Sequence, residues 1–272
     1  MKEILKVVIS RLDSTKILYS RIQHKRGWLE FLDDGDLVFH PADLHRILRE
    51  VVDTKGNRPK GRKLLHRHRK TGFTIKADGS PYRPEEALER FVIVSNRVGF
   101  YNQLPIGGRK ESVDIVTSDH GQITFVELKP WRSSNSPLYA LVECLKNLIE
   151  YRIIFEREIN GNRDGQGVTL CVLAPDEYYR TYGLLDRTMQ VIPENTSFLQ
   201  KALDDISVEF QAGLSFMSLH LEEEAFLKRC NQIFKREGLT GQSRVSVKPE
   251  DAIPALMKKR WLCIAKSKSI WL

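Results

Sequence analysis

Asp114, Glu127 and Lys129 are the residue types and spacings in this chain that could do chemistry together. They lie in Ser112-Val-Asp-Ile-Val-Thr-Ser-Asp-His-Gly-Gln-Ile-Thr-Phe-Val-Glu-Leu-Lys129, two β-branched, apolar runs separated by Asp119-His120-Gly121. Gly tolerates positive φ and Asp hydrogen-bonds its own turn, so the segment is expected to fold back at His120 as a hairpin. Side chains alternate along a strand, which puts Glu127 and Lys129 on one face. The fold-back is expected to set Asp114 across from Val126, beside Glu127. Two carboxylates and an ammonium converging at one end of a hairpin could bind a cation and a phosphate. Glu127-Leu-Lys129 is the sole E-x-K triplet in the chain; Asp53-Thr-Lys55 precedes a Pro/Gly loop, and Pro175-Asp176 has no E-x-K after it.

The surrounding segments must position these groups. Upstream, Pro84-Glu-Glu-Ala-Leu-Glu-Arg-Phe-Val-Ile-Val-Ser-Asn-Arg97 starts with proline and acids, as helix N-termini do. Leu88, Phe91, Val92 and Ser95 trace its buried face, and Glu85 and Glu89 border it, with Glu86 a third acid within a turn. Phe100 to Ile106 reads as a strand. Downstream, Ser136 caps and Pro137 opens an amphipathic helix to Phe155, followed by a continuous apolar strand, Val168 to Ala174. Glu177 to Met189 is expected to be helical and Val208 to Leu221 mostly strand. Residues 1–54 read as a small α+β unit, with strands at 4–9 and 16–22, a hairpin at 27–39 and a helix from His40 to Val52.

The order of these elements resembles the PD-(D/E)XK nuclease superfamily, the restriction-endonuclease-like fold. Val113-Asp114 occupies the "PD" position, Glu127-Leu-Lys129 the "ExK", and Glu85 the upstream helix glutamate. Asn147 and Tyr151 echo the Q-x-x-x-Y pattern of several branches. The likeness spans about residues 84–175. It implies an α/β fold: a restriction-endonuclease-like core with a central mixed β-sheet flanked by helices, and accessory segments at both ends. The expected division is an accessory unit at 1–54, a basic linker at 55–80, the nuclease-like core at 81–222 and a basic extension at 223–272. The resemblance further implies metal-dependent phosphodiester hydrolysis with Glu85, Asp114, Glu127 and Lys129 as catalytic residues. Asp114, Glu127 and Glu85 would hold Mg²⁺, with Mn²⁺ able to substitute. Mg²⁺ keeps several waters, so one or two carboxylates suffice to bind it. Val in place of Pro before Asp114 leaves the ligating carboxylate in place.

Charge distribution points to the substrate. The chain has 272 residues, a net charge of +8, 41% hydrophobic and 9% aromatic residues, which fit a globular fold and exclude a disordered polyelectrolyte. Between Lys55 and Lys70 stand Arg58, Lys60, Arg62, Lys63, Arg67, Arg69 and Lys70 without one acid. Such a run repels itself unless a polyanion is near, so these residues are the expected nucleic-acid-binding arm, with DNA the expected substrate. His66 and His68 lack companion ligands for zinc. The end of the chain is again basic, from Lys228 to Lys268. Four scattered cysteines without a C-x-x-C pair read as reduced thiols, and no apolar run approaches a membrane span. A cytoplasmic protein is expected, acting as a homodimer or with a partner subunit where both strands are cut. The competing expectations are a nucleic-acid binder on the same fold without cleavage, and an α/β domain that grips an acidic protein.

Overall fold

The computed structural model describes residues 41–54, 69–96, 99–105, 112–119, 122–158 and 167–268. The expected strands and hairpin before residue 40, and Arg58, Lys60, Arg62, Lys63 and Arg67 of the basic arm, lie outside them. The described elements run α1 (Pro41–Thr54), β1 (Gly72–Ile75), α2 (Pro84–Ser95), β2 (Phe100–Pro105), β3 (Ser112–Asp119), β4 (Gln122–Leu128) and α3 (Pro137–Glu158). They continue with β5 (Val168–Pro175), α4 (Asp176–Thr181), α5 (Pro193–Phe210), β6 (Gly213–Leu219), α6 (Glu223–Arg236), β7 (Ser243–Ser246), three short 3₁₀ turns and β8 (Leu262–Lys266). Among the described residues no helix is long and apolar enough to cross a membrane.

Six strands form one mixed sheet in the order β2-β3-β4-β5-β6-β8, and β1 pairs with β7 in a separate two-stranded sheet. β2, β3 and β4 form an antiparallel meander, β4, β5 and β6 are parallel, and β8 returns antiparallel to β6. A parallel step requires a crossover, which α3 supplies between β4 and β5, and α5 between β5 and β6. The apolar run of β5 has a direct cause. Leu170, Val172 and Ala174 pack on one face with α1, α3 and α5, while Cys171 and Leu173 pack on the other with α2 and α6. A strand covered on both faces has no polar side. The sheet is therefore the middle of three layers.

Segments on both sides of residues 81–222 join these two cores. Leu44 and Leu48 of α1 enter the α3 side, Phe226 and Cys230 of α6 enter the α2 side, and β8 extends the sheet. Two expected elements differ from those observed. Val208–Phe210 continue α5, and strand begins only at Gly213; Gln211 takes a left-handed backbone (φ 47°) that ends the helix, and Arg152 of α3 donates to the Phe210 and Gln211 carbonyls at 2.6 and 2.8 Å. The helix expected over Glu177–Met189 stops at Thr181, where the Asp186 carboxylate organises a turn by accepting from Thr188 and Gln190.

Every residue of α2 from Ala87 to Ser95 is buried, because β1, the 3₁₀ turns and the sheet enclose it on all sides. That burial includes Arg90, 1% exposed, whose guanidinium binds Glu89, Glu86 at 3.2 Å and the Gly72 carbonyl at 3.1 Å. The network locks α2 in rotation and in register with β1. Arg90→Met leaves the Glu89 carboxylate in the core without its cation and should cost about 3–5 kcal/mol. Denaturant unfolding checks this, and Arg90→Met combined with Glu89→Leu should recover most of the loss.

Candidate active site

The site forms where two strands part. The β3–β4 ladder pairs Asp119 with Gln122 and runs to Ile115 opposite Val126. Ile115, not Asp114, therefore stands across from Val126, and the same register brings Asp114 level with Glu127. The difference from the expected pairing arises because the reversal falls between Asp119 and Gln122, which shifts the register by one residue. Beyond Ile115 the backbone ladder stops, and the Asp114 carboxylate takes over. Its Oδ2 accepts the Leu128 N–H at 2.9 Å. A buried N–H must find an acceptor, so Asp114 replaces a backbone carbonyl at the end of the sheet. On the other edge of β4, the Lys129 N–H donates to the Leu173 carbonyl at 2.9 Å, which holds the strand end to β5.

Glu127 and Lys129 follow Phe125 in the strand alternation and face the α3 side. The Lys129 ammonium donates to Glu127 Oε1 at 2.6 Å and to Glu143 Oε2 of α3 at 2.9 Å. Lys129 is 3% and Glu127 7% exposed. Glu143 is the residue that sequence reasoning missed. Its signal was an acid alone among Leu138, Ala140, Leu141, Val142, Cys144 and Leu145, all buried in the first two turns of α3. Asn147, one turn further, is buried, and Tyr151 stacks edge-on against Phe125 with centroids 5.1 Å apart, so Tyr151 supports the core. Of the three acids on α2, Glu85 lies close enough to Lys129 and Asp114 to act on both electrostatically, while Glu86 and Glu89 bind Arg90.

The electrostatics follow from this crowding. Burial, then the charge of Glu85, pushes the Asp114 carboxyl up to about 8, against the pull of Lys129 and the Leu128 N–H. Glu127 is pushed well above the carboxylate range by burial and by Asp114. Burial also raises Glu85, and it raises Glu89 to about 7 despite Arg90 beside it. Burial alone would lower Lys129, but Glu127, Glu143, Asp114 and Glu85 together hold it far above the ordinary lysine value. It is an ammonium at every physiological pH. One cation thus faces four carboxyl groups, and burial and mutual repulsion push Asp114, Glu127 and Glu85 above the ordinary carboxyl range.

This donor set suits a hard divalent cation. Asp114 and Glu127 offer oxygens whose protons a cation would displace, and the Leu128 carbonyl and solvent could complete an octahedral shell. Among the described residues no three His, Cys, Asp or Glu side chains form a ready-made cage. The fit therefore rests on two carboxylates, the number Mg²⁺ requires when phosphate and water supply the rest.

The remaining expected residues are placed differently. Arg69 donates to the Ile93 carbonyl at 2.7 Å and the Asn96 carbonyl at 3.3 Å, at the C-terminal end of α2, and the Lys70 backbone exchanges two hydrogen bonds with the Asn102 amide. Asp176 of Pro175-Asp176 accepts from Ser218 and pairs with His220 Nδ1 at 2.6 Å, tying the ends of β5 and β6 together. Comparison with protein-family models, with curated proteins and with solved structures finds no match for this chain.

The raised carboxyl pKa values make stability depend on pH. Asp114 binds a proton more tightly folded than unfolded, so its contribution is full below about pH 4, the ordinary carboxyl range, and is lost as pH rises through its folded value of about 8. Without divalent cation, the thermal midpoint should fall by about 5 °C or more between pH 6 and 8.5. Millimolar Mg²⁺ at the higher pH should restore it. Asp114→Asn keeps an acceptor for the Leu128 N–H and should flatten both responses; calorimetry with and without the ion reads them.

Proposed function

We propose that this protein is a metal-dependent endonuclease that hydrolyses phosphodiester bonds in nucleic acid, with DNA as its substrate. The observation that carries this reading is the Lys129 ammonium clamped between Glu127 and Glu143 at the opening where Asp114 breaks the sheet. The element order supports it. A helix bearing Glu85, an antiparallel meander bearing Asp114 and Glu127, a crossover helix and a parallel strand succeed one another as in the restriction-endonuclease-like fold.

Asp114, Glu127 and the Leu128 carbonyl would hold Mg²⁺, with Glu85 adding negative charge to the same space. When bound, the ion supplies a positive charge against the phosphate and acidifies a coordinated water. The chain's own groups have distinct tasks. Lys129 has three N–H donors, and Glu127 and Glu143 take two of them. The third can donate to a phosphate oxygen or to the attacking water. A permanently charged ammonium does not abstract a proton, so Lys129 orients the water and stabilises the charge that builds on the phosphate. Glu143 fixes the direction of the ammonium from α3 and keeps it charged. The α3 layer and β5 bury the base of the site, which strengthens these interactions by excluding water. Phosphodiesters suit such a place because their shielding negative charge meets a fixed cation and a space for another.

The test is conversion of supercoiled plasmid to open circles in Mg²⁺ or Mn²⁺. Lys129→Ala should reduce the rate by at least about 100-fold, the loss typical of a donor to developing charge. Glu143→Gln should reduce it by roughly 10- to 100-fold, with the lysine left in place but less well directed. No cleavage of any DNA or RNA with either metal would sink the hydrolytic reading, and persistent nucleic-acid binding in that case would assign the site to binding.

A further inference from the structure

Among the described Phe, Trp and Tyr side chains, Tyr82 alone is exposed, at 55%. Most of its kind gain burial here, as Tyr178, Tyr179 and Tyr182 do. The backbone holds Tyr82 in place from both sides. Pro81 forms a β-bridge with Ile75, the Tyr82 N–H donates to the Thr74 carbonyl at 2.9 Å, and Pro84 opens α2 two residues on. Proline fixes φ, so the ring is presented with little beyond its own two torsions left free. Arg83 and Lys76 are exposed in the same loop.

A second tyrosine approaches the site from the other layer. Tyr139 is half-buried in the first turn of α3, one turn ahead of Glu143, which binds the Lys129 ammonium at 2.9 Å. Side chains four apart on a helix share a face, with Cβ atoms about 5–6 Å apart. The Tyr139 hydroxyl accordingly feels Glu143, Lys129 and Glu127, and burial together with Glu143 raises its pKa. The ring is therefore neutral and does not repel a phosphate. Tyr82 has the matching place on the α2 side. It precedes Glu85 by three residues, at most about 11 Å of extended chain, and the Glu85 carboxyl acts on both Asp114 and Lys129. Each flanking helix thus brings one acid to the site, with one tyrosine just ahead of it.

We infer that the site takes an unpaired strand, and that Tyr82 and Tyr139 stack on its bases on either side of the reacting phosphate. In a duplex the base faces cover one another and leave only edges and backbone to a protein. An aromatic ring finds its partner in a strand whose bases are unstacked. Depth favours the same substrate. Lys129 is 3% and Glu127 7% exposed, with Glu85, Asp114 and Glu143 partly buried around them. A phosphate must enter this recess to meet the ammonium. A single strand can turn one phosphate inward about its own torsions, whereas a duplex is stiff and carries its phosphates at fixed positions. Arg83 and Lys76 would neutralise phosphates next to the base held by Tyr82.

This substrate class rests on the reading of the site as a nuclease, so binding and cleavage are measured separately. Fluorescence anisotropy in EDTA gives the affinity for a labelled single strand of about 20 nucleotides and for the same sequence as a duplex. The wild type should prefer the single strand. Tyr82→Ala should lower that affinity by about 5- to 100-fold, the loss typical of one base stacked on an aromatic side chain. Tyr139→Leu should weaken it in the same direction, while Tyr82→Trp and Tyr139→Phe keep a ring and should bind like the wild type. The rings are neutral, so all four variants should keep the wild-type dependence of affinity on salt. Val208→Ser, at an exposed position on α5, should change nothing. If Tyr139→Leu melts below the wild type, Tyr82→Ala decides alone. Equal or tighter wild-type binding to the duplex overturns the inference, and so does single-strand affinity that Tyr82→Ala leaves unchanged. Tyr82-dependent binding without cleavage in Mg²⁺ or Mn²⁺ keeps the stacking and removes hydrolysis. Equal cleavage of duplex and single strand, unaltered in Tyr82→Ala, keeps hydrolysis and removes the stacking.

Discussion

Burying carboxylates beside a single ammonium is the constraint on which the site depends. Asp114, Glu127, Glu143 and Glu85 all act on Lys129, and Lys129 and Glu127 are themselves buried. An isolated charge in such a place costs several kcal/mol, a large share of a domain's stability. The fold meets that cost by hydrogen bonds from Lys129 and the Leu128 N–H. Around Lys129 the carboxyl groups outnumber the cation.

The sheet is what makes the arrangement rigid. β4 is central, paired with β3 as far as Val126 and with β5 as far as Leu128, so the β5 edge holds Glu127 and Lys129 while the Asp114 carboxylate holds Leu128 on the other edge. Asp114 sits on β3 where its ladder to β4 ends, and its carboxylate continues the pairing through the Leu128 N–H. α3 crosses behind them to reach β5 and delivers Glu143 on the way. α2 covers the opposite face and carries Glu85 at its start.

Much of this was legible from local pattern. The strands around Asp114, Glu127 and Lys129, the helix from Pro137 and the doubly buried β5 follow from alternation, proline placement and β-branched runs, which are short-range signals. Glu127 and Lys129 on one face follow from the period of a strand. Less legible was the register, since moving the reversal by one residue changes every pairing. Glu143 was missed because its role depends on the angle at which α3 crosses β4, which no local pattern encodes. α5 was read as strand at Val208–Phe210 because β-branched and aromatic residues near a helix end resemble a strand start.

By itself, then, the sequence determined the chemical types and their order: two carboxylates and a lysine on adjoining strands, a glutamate upstream, and basic stretches without acids. Tertiary structure alone decided which acids meet the lysine, how burial raises the pKa values of Asp114, Glu127 and Glu85, and that Arg69 and Lys258 both bind Asn96. The physical reason is range. Strand and helix periodicity act over a few residues, whereas desolvation and Coulomb interactions depend on distances between groups that only the packed layers bring together.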